Sequence, residues 1–220
     1  MLGANDGLLS TSSLILGVAS AHASRESVLI TGVSGLVAGA ISMAAGEYVS
    51  VSSQFDSEQA DIGREKRELG ENRRGEQREL ASIYIERGLD NDLATRVAEQ
   101  LMAHDALEAH ARDELGISAT TGARPIQAAI ASGAAFSIGA ALPLLVAIAA
   151  PAAMMVRAVT VASLLCLVLL GVVGARAGSS NMWTAAIRVL FWGALAMAVT
   201  AGIGAVVGDM PGATGSGKAS

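Results

Sequence analysis

The chain has one cysteine in 220 residues, Cys166, and it lies inside an apolar run. That excludes a disulfide framework within the chain and any cysteine-cluster metal site. Charge is missing from a long stretch: from Pro125 to Gly208 only Arg157, Arg176 and Arg188 are charged. A segment so long and so uncharged is not a normal soluble domain, and an integral membrane protein is the default. No Lys or Arg precedes Arg25, and Asp6 stands where a signal peptide carries positive charge. Ala19-Ser20-Ala21 resembles a cleavage site, yet without that charge the first segment reads as a retained helix. The net charge is −5 and no basic patch stands free of acids, which argues against a nucleic-acid partner. Glycine-rich phosphate loops, nucleotide fingerprints and Ser/His/Asp arrangements are absent, so nothing marks an enzyme.

What is present is apolar and segregated. Hydrophobic residues make up 52% of the chain, and sixteen of the twenty acidic residues lie between Asp56 and Glu114. Five apolar spans can be drawn, over residues 5–23, 28–51, 126–149, 154–175 and 185–207. Each is long enough to cross a hydrocarbon core of ~30 Å at ~1.5 Å per residue. The expected organisation is all-α: membrane helices 1 and 2 in residues 1–52, a helical domain in 53–124, membrane helices 3 to 5 in 125–208, and a disordered Gly/Ala/Ser-rich tail in 209–220. With the polar domain in the cytosol, twelve basic residues fall on the inner side and three on the outer. The positive-inside rule therefore predicts a cytosolic N-terminus and a cytosolic polar domain. Residues 57–87 read as one helix, a continuation of the second span, weakened at Gly63, Gly70 and Gly75. Residues 92–115 read as a second helix folded back on it and closed by Gly116.

Glu65 and Glu68 repeat eleven residues later as Glu76 and Glu79. On one straight helix all four fall within roughly 80° of one face. Glu58 and Asp61 project onto the same stripe. Like charges on one stripe repel unless cations sit against them, although most charge runs are solvated faces. On a straight helix Glu65 and Glu76 lie ~16 Å apart, so the ladder is expected to hold several ions rather than one. The facing helix offers His104, Asp105, Glu108, His110, Asp113 and Glu114; His110 and Glu114, at i and i+4, can chelate one ion. Oxygen ligands with occasional imidazole suit Fe²⁺, Mn²⁺ and Zn²⁺. A di-iron oxidase would need Glu-x-x-His pairs, and none occurs.

Within the spans, Asp6 reads either as a helix cap at the interface or as a residue facing a partner or a water-filled path. Met43 and Glu47 share a helix face, and a thioether beside a carboxylate suits a borderline metal, unless Met43 only packs and Glu47 is only interfacial. Gly32, Gly35 and Gly39 allow close helix contact, within the bundle or between subunits.

Taken together, four stretches resemble the vacuolar iron transporter (Ccc1-like) family of Fe²⁺/Mn²⁺ transporters. They are Asn5-Asp6-Gly7-Leu8-Leu9-Ser10, the run from Gly39 to Val51 that contains Ser42-Met43-Ala44-Ala45-Gly46-Glu47-Tyr48, the Glu65/Glu68/Glu76/Glu79 ladder, and Glu114-Leu115-Gly116. The resemblance implies a homodimer of five-helix subunits in the lipid bilayer, with the ion path between subunits. It implies export of Fe²⁺ or Mn²⁺ from the cytosol in exchange for protons, with Zn²⁺ and Co²⁺ as further candidate ions and no prosthetic group. It implies a transmembrane metal path at Asp6, Met43 and Glu47, and cytosolic ligands at Glu65, Glu68, Glu76, Glu79 and Glu114. Eukaryotic members tend to carry methionines just before the position of Glu114; here His110 and Ala111 stand there, which makes His110 a substitute ligand. The short N-terminus also departs from the family and suggests that a leading segment is missing or lies upstream. Small size and Ala/Gly/Arg-rich composition suggest a bacterial plasma membrane. The competing expectation is a membrane-anchored metal sensor or buffer that does not transport.

Overall fold

The computed structural model describes residues 2–117 and 122–210. Among the described residues the regular elements are helices: α1 Leu2–Ser20, α2 Arg25–Glu71, α3 Arg73–Glu86, α4 Asn91–Asp113, α5 Pro125–Ala149, α6 Met155–Ala177 and α7 Met182–Gly208, with a 3₁₀ turn at Ala152–Met154. The chain forms two compact units, Met1–Glu47 with Ala129–Ser220, and Tyr48–Ala128. The tail expected to be disordered lies outside the described residues from position 211 onward.

Four helices among the described residues are long and apolar enough to cross a membrane: α2, α5, α6 with its preceding 3₁₀ turn, and α7. The fifth expected span, α1, is not among them, because Asn5, Asp6, Ser10, Thr11, Ser12 and Ser13 dilute its apolar content. It nevertheless carries much of the first unit's core. Leu8, Thr11, Ser12 and Ile15 of α1 are fully buried, and α1 packs on α6 and α7. Small residues let the backbones meet. A Cβ on Gly139 of α5 would strike the main chain of Ala4, and one on Gly204 of α7 would strike that of Gly17. The Phe136 ring of α5 fills the space left by Gly39 of α2, and the Phe136 main chain lies against Gly7 of α1. The stripe Gly32, Gly35 and Gly39 therefore packs inside the chain, against Ile15, Leu14 and Phe136. Meanwhile Ile41, Ile138, Leu165, Leu169 and Ile187 are all more than half exposed. Large apolar side chains on the outside, with glycines and hydroxyls among the buried residues where helices meet, is the arrangement of a bundle whose solvent is lipid.

Arg25, the first residue of α2, closes one end of this unit. Its guanidinium donates to the carbonyl oxygens of Ala150 at 2.9 Å and Ile148 at 2.6 Å, and to that of Ala147 at 3.4 Å. A cation on the unpaired carbonyls of a helix C-terminus satisfies both their lone pairs and the helix dipole.

In the second unit α3 and α4 form a hairpin around Leu80, Ala81, Ala98, Met102 and Ala109. The turn follows from its sequence. Gly88 takes φ 100°, Leu89 N–H returns to the Tyr84 carbonyl, and the Asp90 side chain caps α4 by accepting from Leu93 N–H.

Two expectations about this unit are corrected. Residues 57–87 are not one helix: the chain breaks at Asn72 (φ −141°, ψ 55°). There the Asn72 side chain accepts from Gly75 N–H and starts α3 in a new direction. The helix expected over 92–115 spans Asn91–Asp113 and is kinked at Asp105 (φ −152°, ψ 101°), whose carboxylate caps the second half through Glu108 N–H at 2.9 Å. Gly116 lies just beyond the Glu114 C-cap with φ 69°.

Candidate metal centre

The break at Asn72 overturns the expected spacing of the carboxylate ladder. A straight helix would hold Glu65 and Glu76 ~16 Å apart. Instead, ligand atoms of Glu65, Glu76 and His110 all lie within 4.8 Å of one another. Glu65 comes from the end of α2, Glu76 from the first turn of α3 and His110 from the second half of α4. One ion at bond lengths of ~2.0–2.2 Å can therefore be shared among them after small side-chain movements.

Burial makes the group costly without a cation. Glu65 is 2% exposed, Glu76 8% and His110 0%. The Glu114 carboxylate lies 2.9 Å from His110 Nδ1, and Glu65 Oε1 lies 3.1 Å from the same nitrogen, while His110 Nε2 has no partner. Burial raises the Glu65 carboxyl to about 7, helped by the charge of Glu114 and then of Glu76 and Glu68, and opposed by His110. Glu76 is raised in the same way, by burial first and then by Glu79, with Glu68 and Glu114 adding and His110 opposing. Glu68 and Glu79 are exposed, and their charges bear on the two buried carboxylates. All six expected ligands of this unit thus share one electrostatic neighbourhood.

Two expected members of the stripe are used elsewhere. Glu58 accepts from Ala123 N–H at 3.0 Å and from Gln54, and Asp61 pairs with Arg64 at 3.0 Å. His104 and Glu108 are exposed on either side of the Asp105 kink.

A clamp that sequence reasoning missed holds the end of α4. The Asp113 carboxylate accepts from Tyr84 OH at 2.8 Å, Arg87 at 2.9 Å and Arg112 at 3.0 Å. Arg87 also reaches the Asp113 carbonyl and stacks 5.3 Å over the Tyr84 ring. Burial alone would raise Asp113, but the bonds from Arg112, Arg87 and Tyr84 outweigh it and hold the carboxyl below its usual range. Asp113 shares a helical turn with His110 and Glu114, so the clamp fixes both. Arg87→Ala is expected to cost about 1–2 kcal/mol of stability and to weaken metal binding, read by thermal unfolding and Mn²⁺ titration of the purified chain. Unchanged affinity would remove the clamp from the metal centre.

In the first unit Asp6 is half-buried and accepts from Ser10 Oγ at 2.9 Å. Met43 is half-buried and Glu47 exposed, one turn apart on α2. Leu14 faces Gly35 and Ile15 faces Gly32, so α1 and α2 run antiparallel and bring Asp6 and Met43 toward the same end. No hydrogen bond among the described residues joins Asp6 to Glu47.

A sequence model of the VIT family matches residues 1–205. The chain belongs to the VIT family. This VIT-family chain is 47% identical over 205 residues to the vacuolar iron transporter of Acanthamoeba castellanii, covering 93% of itself and 76% of that relative. It is 36% identical over 204 residues to vacuolar iron transporter homolog 1 of Oryza sativa subsp. japonica, covering 92% and 70%. With vacuolar iron transporter homolog 2.1 of Arabidopsis thaliana it shares 37% over 211 residues, covering 95% and 80%. The family read from the motifs is thereby shown. Family and membrane-length helices together make this VIT member an integral membrane protein.

Proposed function

We propose that this chain is a divalent metal transporter that exports Fe²⁺ or Mn²⁺ from the cytosol in exchange for protons. The observation that carries this reading is the buried Glu65–Glu76–His110 group with its raised carboxyls. Relatives named as iron transporters support it. Glu65, Glu76 and His110 would hold the ion, with Glu114, Glu68 and Glu79 supplying charge and further oxygens. Protons and metal compete for the same lone pairs, so a carboxyl near pH 7 exchanges one for the other without a large barrier. The second unit, around residues 53–124, would be the cytosolic loading platform. Asp6, Met43 and Glu47 would form the transmembrane path, with α1 as a fifth span and a homodimer completing the route. A bacterial plasma membrane is the proposed location, with the N-terminus inside.

The test is metal uptake by proteoliposomes holding the purified chain, with Fe²⁺, Mn²⁺, Zn²⁺ and Co²⁺, with and without a pH gradient. Fe²⁺ or Mn²⁺ flux with counter-movement of protons is expected, and Asp6→Ala is expected to abolish it while leaving metal binding intact. Metal flux that neither needs nor moves protons would remove the coupling. Binding without flux in the unaltered chain would favour a membrane-anchored buffer.

A further inference from the structure

A second polar feature lies in the first unit. Between α1, α6 and α7 is a cavity of about 280 Å³ lined by Asn5, Leu170, Gly171, Gly174, Ser180 and Arg188, among others. A single water occupies ~30 Å³, so the space is suited to a larger guest. Its walls are apolar except for three groups. Arg188 forms no ion pair among the described residues, and it stands six residues into α7, ~9 Å along the helix. Asn5 contributes a side-chain oxygen that is buried without a partner. Its amide can present either O or N to the cavity, since the two are assigned by their surroundings. Ser180 adds a hydroxyl at the rim.

The charge on the three helices α5, α6 and α7 has one sign. Across α5, α6 and α7 the charged residues are Arg157, Arg176 and Arg188, and Arg176 lies in the last turn of α6, at the same end as Arg188. The adjacent Asp6 is engaged by Ser10 and does not line the cavity. Beside Arg188 in the sequence, Ile187, Phe191 and Leu195 line a separate apolar trough on α7. An exposed, unpaired guanidinium lining a pocket between helices, with a separate apolar trough on the next face of the same helix, matches an anionic head joined to hydrocarbon.

We propose that this cavity binds the phosphate headgroup of an anionic phospholipid, with Arg188 as its cation and Asn5 and Ser180 as supporting donors. The acyl chains lie along α7. The inference is independent of metal transport, since it needs only a chain in a bilayer.

Native mass spectrometry of the purified full chain tests it, with phosphatidylglycerol, phosphatidylcholine or inorganic phosphate added. The unaltered chain is expected to retain phosphatidylglycerol over phosphatidylcholine. Arg188→Gln is expected to lower that retention about five-fold, while Arg157→Gln, at the other end of α6, leaves it unchanged. Ala185→Leu fills the cavity without touching charge and is expected to have the same effect as Arg188→Gln, which covers a misfolded arginine variant. Equal retention by the unaltered chain and both cavity variants overturns the proposal. So does displacement of phosphatidylglycerol by millimolar inorganic phosphate, which would mean a site for a free anion.

Discussion

Glu65→Gln is expected to stabilise the metal-free protein at pH 8 and to weaken its metal binding, two effects of opposite sign from one substitution. The folded chain holds the Glu65 carboxyl at about 7, above its ordinary value of 4.5. Below about pH 4.5 both folded and unfolded chains carry the proton, and the raised value does no harm. As pH rises from there to about 7, the unfolded chain gives up the proton first, so stability falls over that window and then levels off. At pH 8 the folded chain carries the penalty in full, on the order of 1–3 kcal/mol. A neutral amide removes it, and the difference between the two proteins should vanish toward pH 4.5. Metal affinity should fall by at least the ~10–100-fold that loss of an outer-shell partner costs. Thermal unfolding from pH 4.5 to 8 and Mn²⁺ calorimetry read the two effects. A Glu65→Gln protein less stable than the unaltered chain at pH 8, or a difference flat in pH, would contradict this account of the group.

Gly139→Ala and Gly204→Ala are each expected to destabilise the protein strongly, although each adds only a methyl group. At Gly139 the new atom lands on the main chain of Ala4, and at Gly204 on that of Gly17. A flexible side chain can move aside, but a helix backbone cannot, so α1 must be pushed from α5 or α7. Overpacking of this kind costs about 1–3 kcal/mol or more. Gly202 is the control: it lies in the same helix as Gly204 with nothing near its missing Cβ. There Ala should be neutral or stabilising by up to ~1 kcal/mol through helix propensity. Melting temperatures in detergent separate the cases, and equal melting of Gly204→Ala and Gly202→Ala would refute the close contact.

The apolar spans were legible because charge is so sparse in the second half. The window expected at 154–175 became Met155–Ala177, and the one at 185–207 became Met182–Gly208. The first span was drawn from the same pattern, but its Asn, Asp, Ser and Thr set it apart from the other four. The His110–Glu114 pair was legible too, because i, i+4 spacing is a local property. The meeting of Glu65 with Glu76 was not. Gly63, Gly70 and Gly75 read as weak points in one helix, whereas the break falls at Asn72, which ends one helix and caps the next. Once a straight rod is assumed, every distance that crosses Asn72 is wrong. The Tyr84–Asp113–Arg87 clamp left no signal, because its members are brought together by the hairpin and not by spacing.

The bonds of Arg25 also bear on how the protein is made. This residue opens α2, yet the carbonyls it needs belong to Ala147, Ile148 and Ala150, between 122 and 125 residues later in the chain. During synthesis α2 is therefore made with a cation whose acceptors in the folded chain have yet to be translated. It waits for the whole polar unit and then α5 to be translated. The first hairpin of the protein is in this sense among the last parts to be finished, and its closure reports that the second half has inserted in the matching direction.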